Sequence, residues 1–250
     1  MPEDPRALSG PHGGSFPTTH WSLVLAAGES RNSEGRQALD VLCRLYWPPV
    51  YAYVRSAGND AESARDLTQG FFARLLEKSD LKQADRTRGR FRSFLLASVK
   101  HFAANEWDRA RAQRRGGGSS HFSLDVEAAE AKYGPSLADP QTPETIYEKQ
   151  WALALLEHAL ARLEEEMARS KHAQHFPRFK PFLTLDGGDV SYRDLALELG
   201  LGEPAIKVAI HRMRRRFAAL LREEVAQTLD NPSAAEVDDE IRYLFSVMGS

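Results

Sequence analysis

The segment 191–223 constrains the fold of this 250-residue chain more than any other part of the sequence. Its first half repeats apolar residues at the spacing of one helical face, at Tyr192, Leu195, Ala196 and Leu199. The three residues Gly200 to Gly202 then predict a tight turn, because glycine adopts positive φ without a steric penalty. Glu203 and Pro204 predict the start of a second helix, since proline in the first turn loses no hydrogen bond.

This second helix separates apolar from basic residues. Its apolar positions are Ile206, Ile210, Met213, Phe217 and Leu220, and its basic positions on the other side are Lys207, His211, Arg214 and Arg215. A helix, a glycine turn and a helix with a basic outer face are typical of the helix-turn-helix, whose second helix enters the major groove of DNA. The alternative is an amphipathic surface helix whose basic face is only solvated.

Charge is distributed unevenly along the chain. The whole sequence has 33 Lys and Arg against 35 Asp and Glu, a formal net charge of −2. Segment 86–115, however, has nine basic and two acidic residues, and segment 203–222 has six basic residues and one acidic residue. Segment 223–250 has the opposite balance, with one basic residue and seven acidic residues. Because a polyanion responds to the local field and not to the sum, the two basic segments predict two separate nucleic-acid contacts.

Two helices are predicted in the N-terminal half. Segment 59–78 begins with a capping-box pattern at Asn59 and Glu62. Its apolar side is Leu67, Phe71, Phe72 and Leu75, and its polar side is Glu62, Asp66, Gln69, Gly70 and Ala73. Such a polar side is either a binding surface or simply solvated.

Segment 91–115 predicts a longer helix that combines an aromatic residue with cations. Its inward positions are Phe91, Phe94, Leu95, Val99 and Phe102, and its outward positions are Lys100, Trp107 and Arg111. Aromatic rings beside cations suit single-stranded or melted nucleic acid, because bases stack on the rings while the cations follow the phosphates. The alternative is that Trp107 packs against another helix of its own module.

These patterns predict an all-α protein with two helical modules joined by a flexible linker. We expect a flexible leader at 1–17, a first module at 18–115, a linker at 116–141, a second module at 142–223 and an acidic C-terminal extension at 224–250. Thr142 and Pro143 predict the start of the second module's first helix. Segment 236–248 has apolar residues at helical spacing. It either caps the second module or inhibits the chain by shielding the basic recognition helix.

The sequence argues against several classes of function. The single cysteine, Cys43, allows no internal disulfide and no thiolate zinc cluster. No apolar run is long enough to span a membrane and no signal peptide is evident, so we expect a cytoplasmic protein. Neither a phosphate-binding loop nor a nucleophile elbow occurs. We therefore expect no enzyme activity, no metal and no cofactor.

Together these segments resemble bacterial RNA polymerase sigma factors of the extracytoplasmic-function (ECF) type, within the sigma-70 family, over 18–222. DLTQGFFARLL resembles the region 2.2 helix, which docks on the polymerase clamp. FRSFLLASVKHFAANEWDRARAQRR is similar to regions 2.3 and 2.4, which open and read the minus-ten element. SYRDLALELGLGEPAIKVAIHRMRRRF is similar to region 4.2, which reads the minus-thirty-five element. The resemblance implies a sigma factor that directs promoter recognition, DNA melting and transcription initiation.

The resemblance also implies roles for individual residues. The polymerase contacts would be Asp66, Leu67 and Gln69. The minus-ten contacts would be Arg88, Arg90, Arg92, Lys100, Trp107 and Arg111. The minus-thirty-five contacts would be Lys207, His211, Arg214 and Arg215. The implied partners are core RNA polymerase, promoter DNA and either an anti-sigma factor or a Ser/Thr kinase.

The chain departs from the family pattern in the polymerase-facing helix. Arg65 and Gly70 stand where acids are usual, so two expected carboxylates are missing. A phosphate adds about −1.5 to −2 charge, and we hypothesise that one at Ser63, more than at Thr68, replaces them. The opening TTHWSLVLAA, the long linker and the acidic extension resemble a subgroup often encoded beside Ser/Thr kinases. Two rivals stay open: a one-component helix-turn-helix regulator, and a degenerate sigma factor that needs phosphorylation to engage polymerase.

Overall fold

The computed structural model describes residues 33–77, 90–112, 141–170, 173–183 and 191–249. Within these ranges all regular structure is helical, which confirms the predicted all-α class for the described residues. The helices are α1 (Ser33–Ser56), α2 (Ala61–Glu77), α3 (Phe91–Ala112), α4 (Pro143–Ala168), α5 (Phe176–Phe179), α6 (Tyr192–Leu199), α7 (Glu203–Gln227) and α8 (Ala234–Met248). The predicted leader at 1–17 and the predicted linker, apart from its last residue, lie outside the described residues.

Most helix ends of the C-terminal half are where the sequence predicts them. The Thr142 hydroxyl accepts a hydrogen bond from the backbone N–H of Thr145 at 3.2 Å, and Pro143 follows as the first residue of α4. Gly200 ends α6 with a φ of +63°, a conformation that favours glycine. Gly202 then precedes α7. The predicted end of α6 and start of α7 are therefore confirmed, although α7 continues to Gln227.

The cap of α2 differs from the prediction. The carboxylate of Asp60, and not the side chain of Asn59, accepts the hydrogen bond from the Ser63 backbone N–H at 2.7 Å. Asn59 instead donates from its side chain to the Val54 carbonyl at 2.7 Å. Asp60 is as good a capping residue as Asn59, so the sequence offered two adjacent caps and the prediction chose the wrong one.

Helix α4 lies at the centre of the described structure. Its most extensive contact is with α1, and α3, α7 and α8 also pack against it. The Tyr46 ring of α1 stacks on the Trp151 ring of α4 with centroids 4.4 Å apart, and the Phe91 ring of α3 lies 5.0 Å from Tyr46. One buried cluster therefore runs from α1–α3 to α4–α8, so the helices on either side of segment 116–141 share a core.

The acidic extension contains the predicted helix, which is α8. Val237 and Leu244 are buried, and Ser233 and Glu236 form a capping box at its N-terminus. The helix packs against α4 and against the C-terminal part of α7, where Asp238 pairs with Arg222. Of the two alternatives for this segment, these contacts favour the capping helix over shielding of the recognition helix, because α8 contacts the end of α7 and not its exposed basic face.

Across the described ranges, no helix has the length and apolar character needed to cross a bilayer.

Candidate nucleic-acid interface

The first half of α7 presents an open basic surface. His211, Arg212 and Arg215 are exposed around Val208, whose side chain is 49% exposed. We call these three residues the α7 basic face. The opposite side of the helix is buried through Ile206, Ile210 and Met213, so packing fixes which side faces solvent. None of the ion pairs among the described residues involves these three side chains.

Two of the predicted minus-thirty-five residues flank this surface. Lys207 is exposed and pairs with Glu203 at 2.6 Å, a hydrogen bond that raises the pKa of the Lys207 ammonium. Arg214 is half-buried, and its Nε donates to the Phe182 carbonyl oxygen at 2.6 Å. The guanidinium of Arg214 is therefore engaged with the backbone beside α5 and is less available for the predicted DNA contact than His211 and Arg215 are.

Arg212 and Val208 also lie on this surface, although they were not among the predicted residues. The apolar stripe of α7 could have located them, since the positions opposite Ile206, Ile210 and Met213 are 208, 211 and 215, with 212 beside them. The prediction instead included Lys207 and Arg214, which lie nearer the edge of the buried stripe than His211 and Arg215 do. His211 and Arg215 are exposed as predicted.

The second predicted nucleic-acid surface is covered. Arg92 is only 3% exposed and pairs with Glu148 of α4 and with Glu240 of α8. Arg90 also pairs with Glu240, at 2.8 Å. In the described structure Arg92 therefore faces carboxylates of its own chain, and its predicted contact with nucleic acid stays a prediction. A buried guanidinium needs paired carboxylates, and two helices of the C-terminal half supply them.

Lys100 is also engaged by a carboxylate. Its ammonium lies 2.6 Å from the Glu144 carboxylate at the start of α4. The hydrogen bond from Lys100 lowers the pKa of Glu144, and the same bond raises the pKa of Lys100. We call Arg90, Arg92 and Lys100 the α3 basic face, and Glu144, Glu148 and Glu240 its carboxylate cluster.

Trp107 stands at the other end of α3 and is 37% exposed. Its indole N–H donates to the Asn59 side-chain oxygen at 3.4 Å, beside the start of α2. The side chain is therefore both outward, as predicted, and anchored to its own half of the chain. Of the other predicted minus-ten residues, Arg88 and the side chain of Arg111 lie outside the described part of the structure.

The predicted polymerase-facing residues of α2 differ in exposure. Asp66 is exposed, and its carboxylate lies 3.6 Å from the Arg65 guanidinium. Gln69 is half-buried. Leu67 is half-buried and packs against the core. Of the three predicted polymerase contacts, Asp66 is therefore the most exposed.

Gly70 has a packing role that sequence analysis missed. A Cβ at this position would lie 3.3 Å from the Phe102 ring of α3, closer than most such contacts. Gly70 therefore faces α3, and the interpretation that it replaces an acid on the outer side of α2 is wrong. An acidic side chain there would meet the Phe102 ring.

The two candidate phosphorylation residues are placed differently. Thr68 is fully buried, and its hydroxyl donates to the Ala64 carbonyl at 2.7 Å. A kinase has no access to that hydroxyl in the folded helix, so Thr68 is removed as a candidate. Ser63 is exposed in the first turn of α2, where its hydrogen bonds lower the pKa of Asp60.

No known protein family, curated protein or solved structure matches the chain in the comparisons made. Within the described ranges, no group of three or more His, Cys, Asp or Glu residues is arranged to hold a metal ion.

Proposed function

We propose that this chain is a sigma factor of the ECF type, which binds core RNA polymerase and directs it to promoter DNA. The observation that carries the proposal is the α6–α7 helix-turn-helix, whose second helix presents an open basic face. The polar side of α2 and the aromatic and basic residues of α3 also support the proposal, because a DNA-binding module alone does not account for them.

The α7 basic face has the chemistry for reading base edges. Arginine donates two hydrogen bonds to guanine in the major groove, and an apolar side chain contacts the methyl group of thymine. Arg212 and Arg215 supply the first kind of contact and Val208 the second. Lys207, at the edge of the face, is placed to neutralise a phosphate, which adds salt-dependent affinity without sequence preference.

In this proposal the N-terminal half opens the DNA strands and binds the polymerase. Trp107 offers a ring on which an unpaired base stacks, and the cations of α3 follow the phosphates of a melted strand. Asp66 on α2 provides an exposed carboxylate for the polymerase. Two DNA contacts on one chain allow duplex recognition and strand opening to act on a single promoter.

A one-component regulator is the second candidate, and one observation favours it. Helix-turn-helix regulators bind DNA as dimers, and α8 exposes apolar side chains at Phe245 and Met248 that a second copy could cover. In that case the chain would bind a palindromic duplex without polymerase. A sigma factor would bind duplex promoter DNA weakly alone and strongly with core enzyme.

Purified full-length chain separates these candidates when mixed with duplex DNA, with and without core polymerase. We expect a monomer that co-elutes with core enzyme and shifts promoter DNA only in its presence. An Asp66→Ala variant should lose co-elution, whereas Glu165→Ala, an exposed acid of α4, should retain it. A dimer that binds DNA tightly without polymerase would favour the regulator.

Phosphorylation at Ser63 is a conditional form of the same proposal. Ser63 lies in the first turn of α2, where the helix dipole stabilises added negative charge, although Asp60 opposes it. Capture of core enzyme by Ser63→Ala and Ser63→Glu variants, with and without kinase treatment, tests it. Equal capture in all conditions would remove phosphorylation from the account.

A further inference from the structure

The α3 basic face and its carboxylate cluster belong to different halves of the chain. Arg90, Arg92 and Lys100 lie before segment 113–140, and all three carboxylates lie after it. The carboxylates come from two helices, α4 and α8, which converge on one end of α3. The contact therefore neutralises a basic surface by means of distant sequence.

This contact includes more than ion pairs. The Tyr243 ring of α8 lies 4.4 Å from the Arg92 guanidinium carbon, as in a cation–π contact. The Phe91 backbone N–H donates to the Thr228 carbonyl at 3.2 Å, and the Tyr147 hydroxyl donates to the Arg92 carbonyl at 3.1 Å. Charge, ring and backbone contacts thus coincide at the start of α3.

We infer that this arrangement is a closed state, in which the carboxylate cluster and single-stranded nucleic acid compete for the α3 basic face. The competitor is a chain of phosphates, because three cations at the start and in the first half of α3 match repeated negative charges. The identity of the competitor rests on the proposed function, whereas the closed state itself rests on the contacts. Binding requires that α8 and the start of α4 move away from α3.

The buried part of the contact explains why the closed state would hold at physiological salt. Salt screens interactions between exposed charges much more than it screens buried ones, and Arg92 and Glu240 are almost completely removed from solvent. Lys100 and Glu144 are both partly exposed and contribute a weaker, screened pair. Apparent affinity for a competing ligand then falls in proportion to the fraction of chains that are open.

The test uses the full chain with Glu240→Gln, which removes the carboxylate charge and keeps the side-chain size. Asp239→Asn is the matched control, because Asp239 lies on the same helix and pairs with Arg242 on the surface. Two quantities are measured: hydrogen exchange of the peptide that contains Phe91, and binding of a fluorescent single-stranded oligonucleotide at fixed salt. We expect faster exchange and about ten-fold tighter binding for Glu240→Gln, and no change for the control.

The two measurements separate failure of the closed state from failure of the proposed function. Unchanged exchange in Glu240→Gln would overturn the closed state. Faster exchange with unchanged oligonucleotide binding would overturn the competition with nucleic acid, while binding of duplex promoter DNA in the presence of core polymerase still tests the proposed function. If the Glu240→Gln variant does not fold, the same two measurements are made on Glu144→Gln. Both members of the Lys100–Glu144 ion pair are partly exposed, so we expect this variant to fold. A few-fold gain in binding supports the proposal, and no gain overturns it.

Discussion

The two basic surfaces of this chain have similar composition and opposite environments. The α3 basic face is held by carboxylates from α4 and α8, and its Arg92 is buried. The α7 basic face is exposed on a helix whose other side fixes its orientation. Counting charges along the sequence treats them alike. The difference shows that a basic segment predicts a nucleic-acid surface only after its intramolecular partners are known.

The largest expected difference between the surfaces is in stability. Arg92→Ala leaves Glu240 buried without one of its partners, which should lower the free energy of unfolding by about 3–5 kcal/mol. Arg215→Ala removes an exposed side chain and should change it by less than about 0.5 kcal/mol. Urea unfolding of both variants measures the contrast. Equal, small changes would show that the α3 basic face is not buried in solution.

The next largest effect concerns DNA affinity at the open surface. Arg212→Ala and Arg215→Ala should each weaken binding to duplex promoter DNA by about 1–3 kcal/mol, measured as part of the polymerase complex. Arg242→Ala is the control, because Arg242 is an exposed arginine of α8 that pairs only locally. Losses of the same size in all three variants would mean that α7 has no special role.

Lys207 should have a smaller effect of a different kind. Because Lys207 lies at the edge of the α7 basic face, Lys207→Ala should weaken binding equally for all sequences. The slope of log affinity against log salt should fall by about 1. Binding to promoter and to scrambled duplex over a range of salt concentrations measures this. A sequence-dependent loss would place Lys207 among the base-reading residues instead.

The smallest expected effect is the pH dependence of the covered surface. The pKa of Glu144 is lower in the folded state than in the unfolded state because of the hydrogen bond from Lys100. The pair therefore stabilises the closed state above the unfolded-state pKa, and this contribution is lost as pH falls through the depressed folded-state pKa. Because both side chains are partly exposed, the contribution is at most about 1 kcal/mol.

Comparing wild type with Glu144→Gln across pH isolates this contribution. The difference in unfolding free energy should be present at neutral pH and should vanish in acid, where Glu144 is protonated. A difference that persists unchanged at low pH would show that Glu144 acts through something other than its charge.

Local patterns predicted the elements well because they depend on neighbours in sequence. The cap at Thr142, the glycine turn at Gly200 and the apolar stripe of α7 each involve residues within a few positions of one another. The α2 cap shows the limit of this approach, since Asn59 and Asp60 are adjacent and equally suitable.

Contacts between distant segments could not be predicted in the same way. The pairing of Arg92 with Glu240 joins residues far apart in sequence, and no spacing rule connects them. Gly70 was misread for the same reason, because only the neighbouring helix shows that the Phe102 ring occupies the space of a side chain. Arg214 was assigned to DNA although the Phe182 carbonyl holds it.

Run-off transcription with purified core polymerase and the DNA upstream of the chain's own coding sequence tests the proposed function most directly. The account predicts a specific transcript that requires the full-length chain, untreated or phosphorylated. The transcript should be lost with the Arg212→Ala/Arg215→Ala double variant and kept with Arg242→Ala. No transcript with the wild-type chain in either state, or one that survives the double variant, would contradict it.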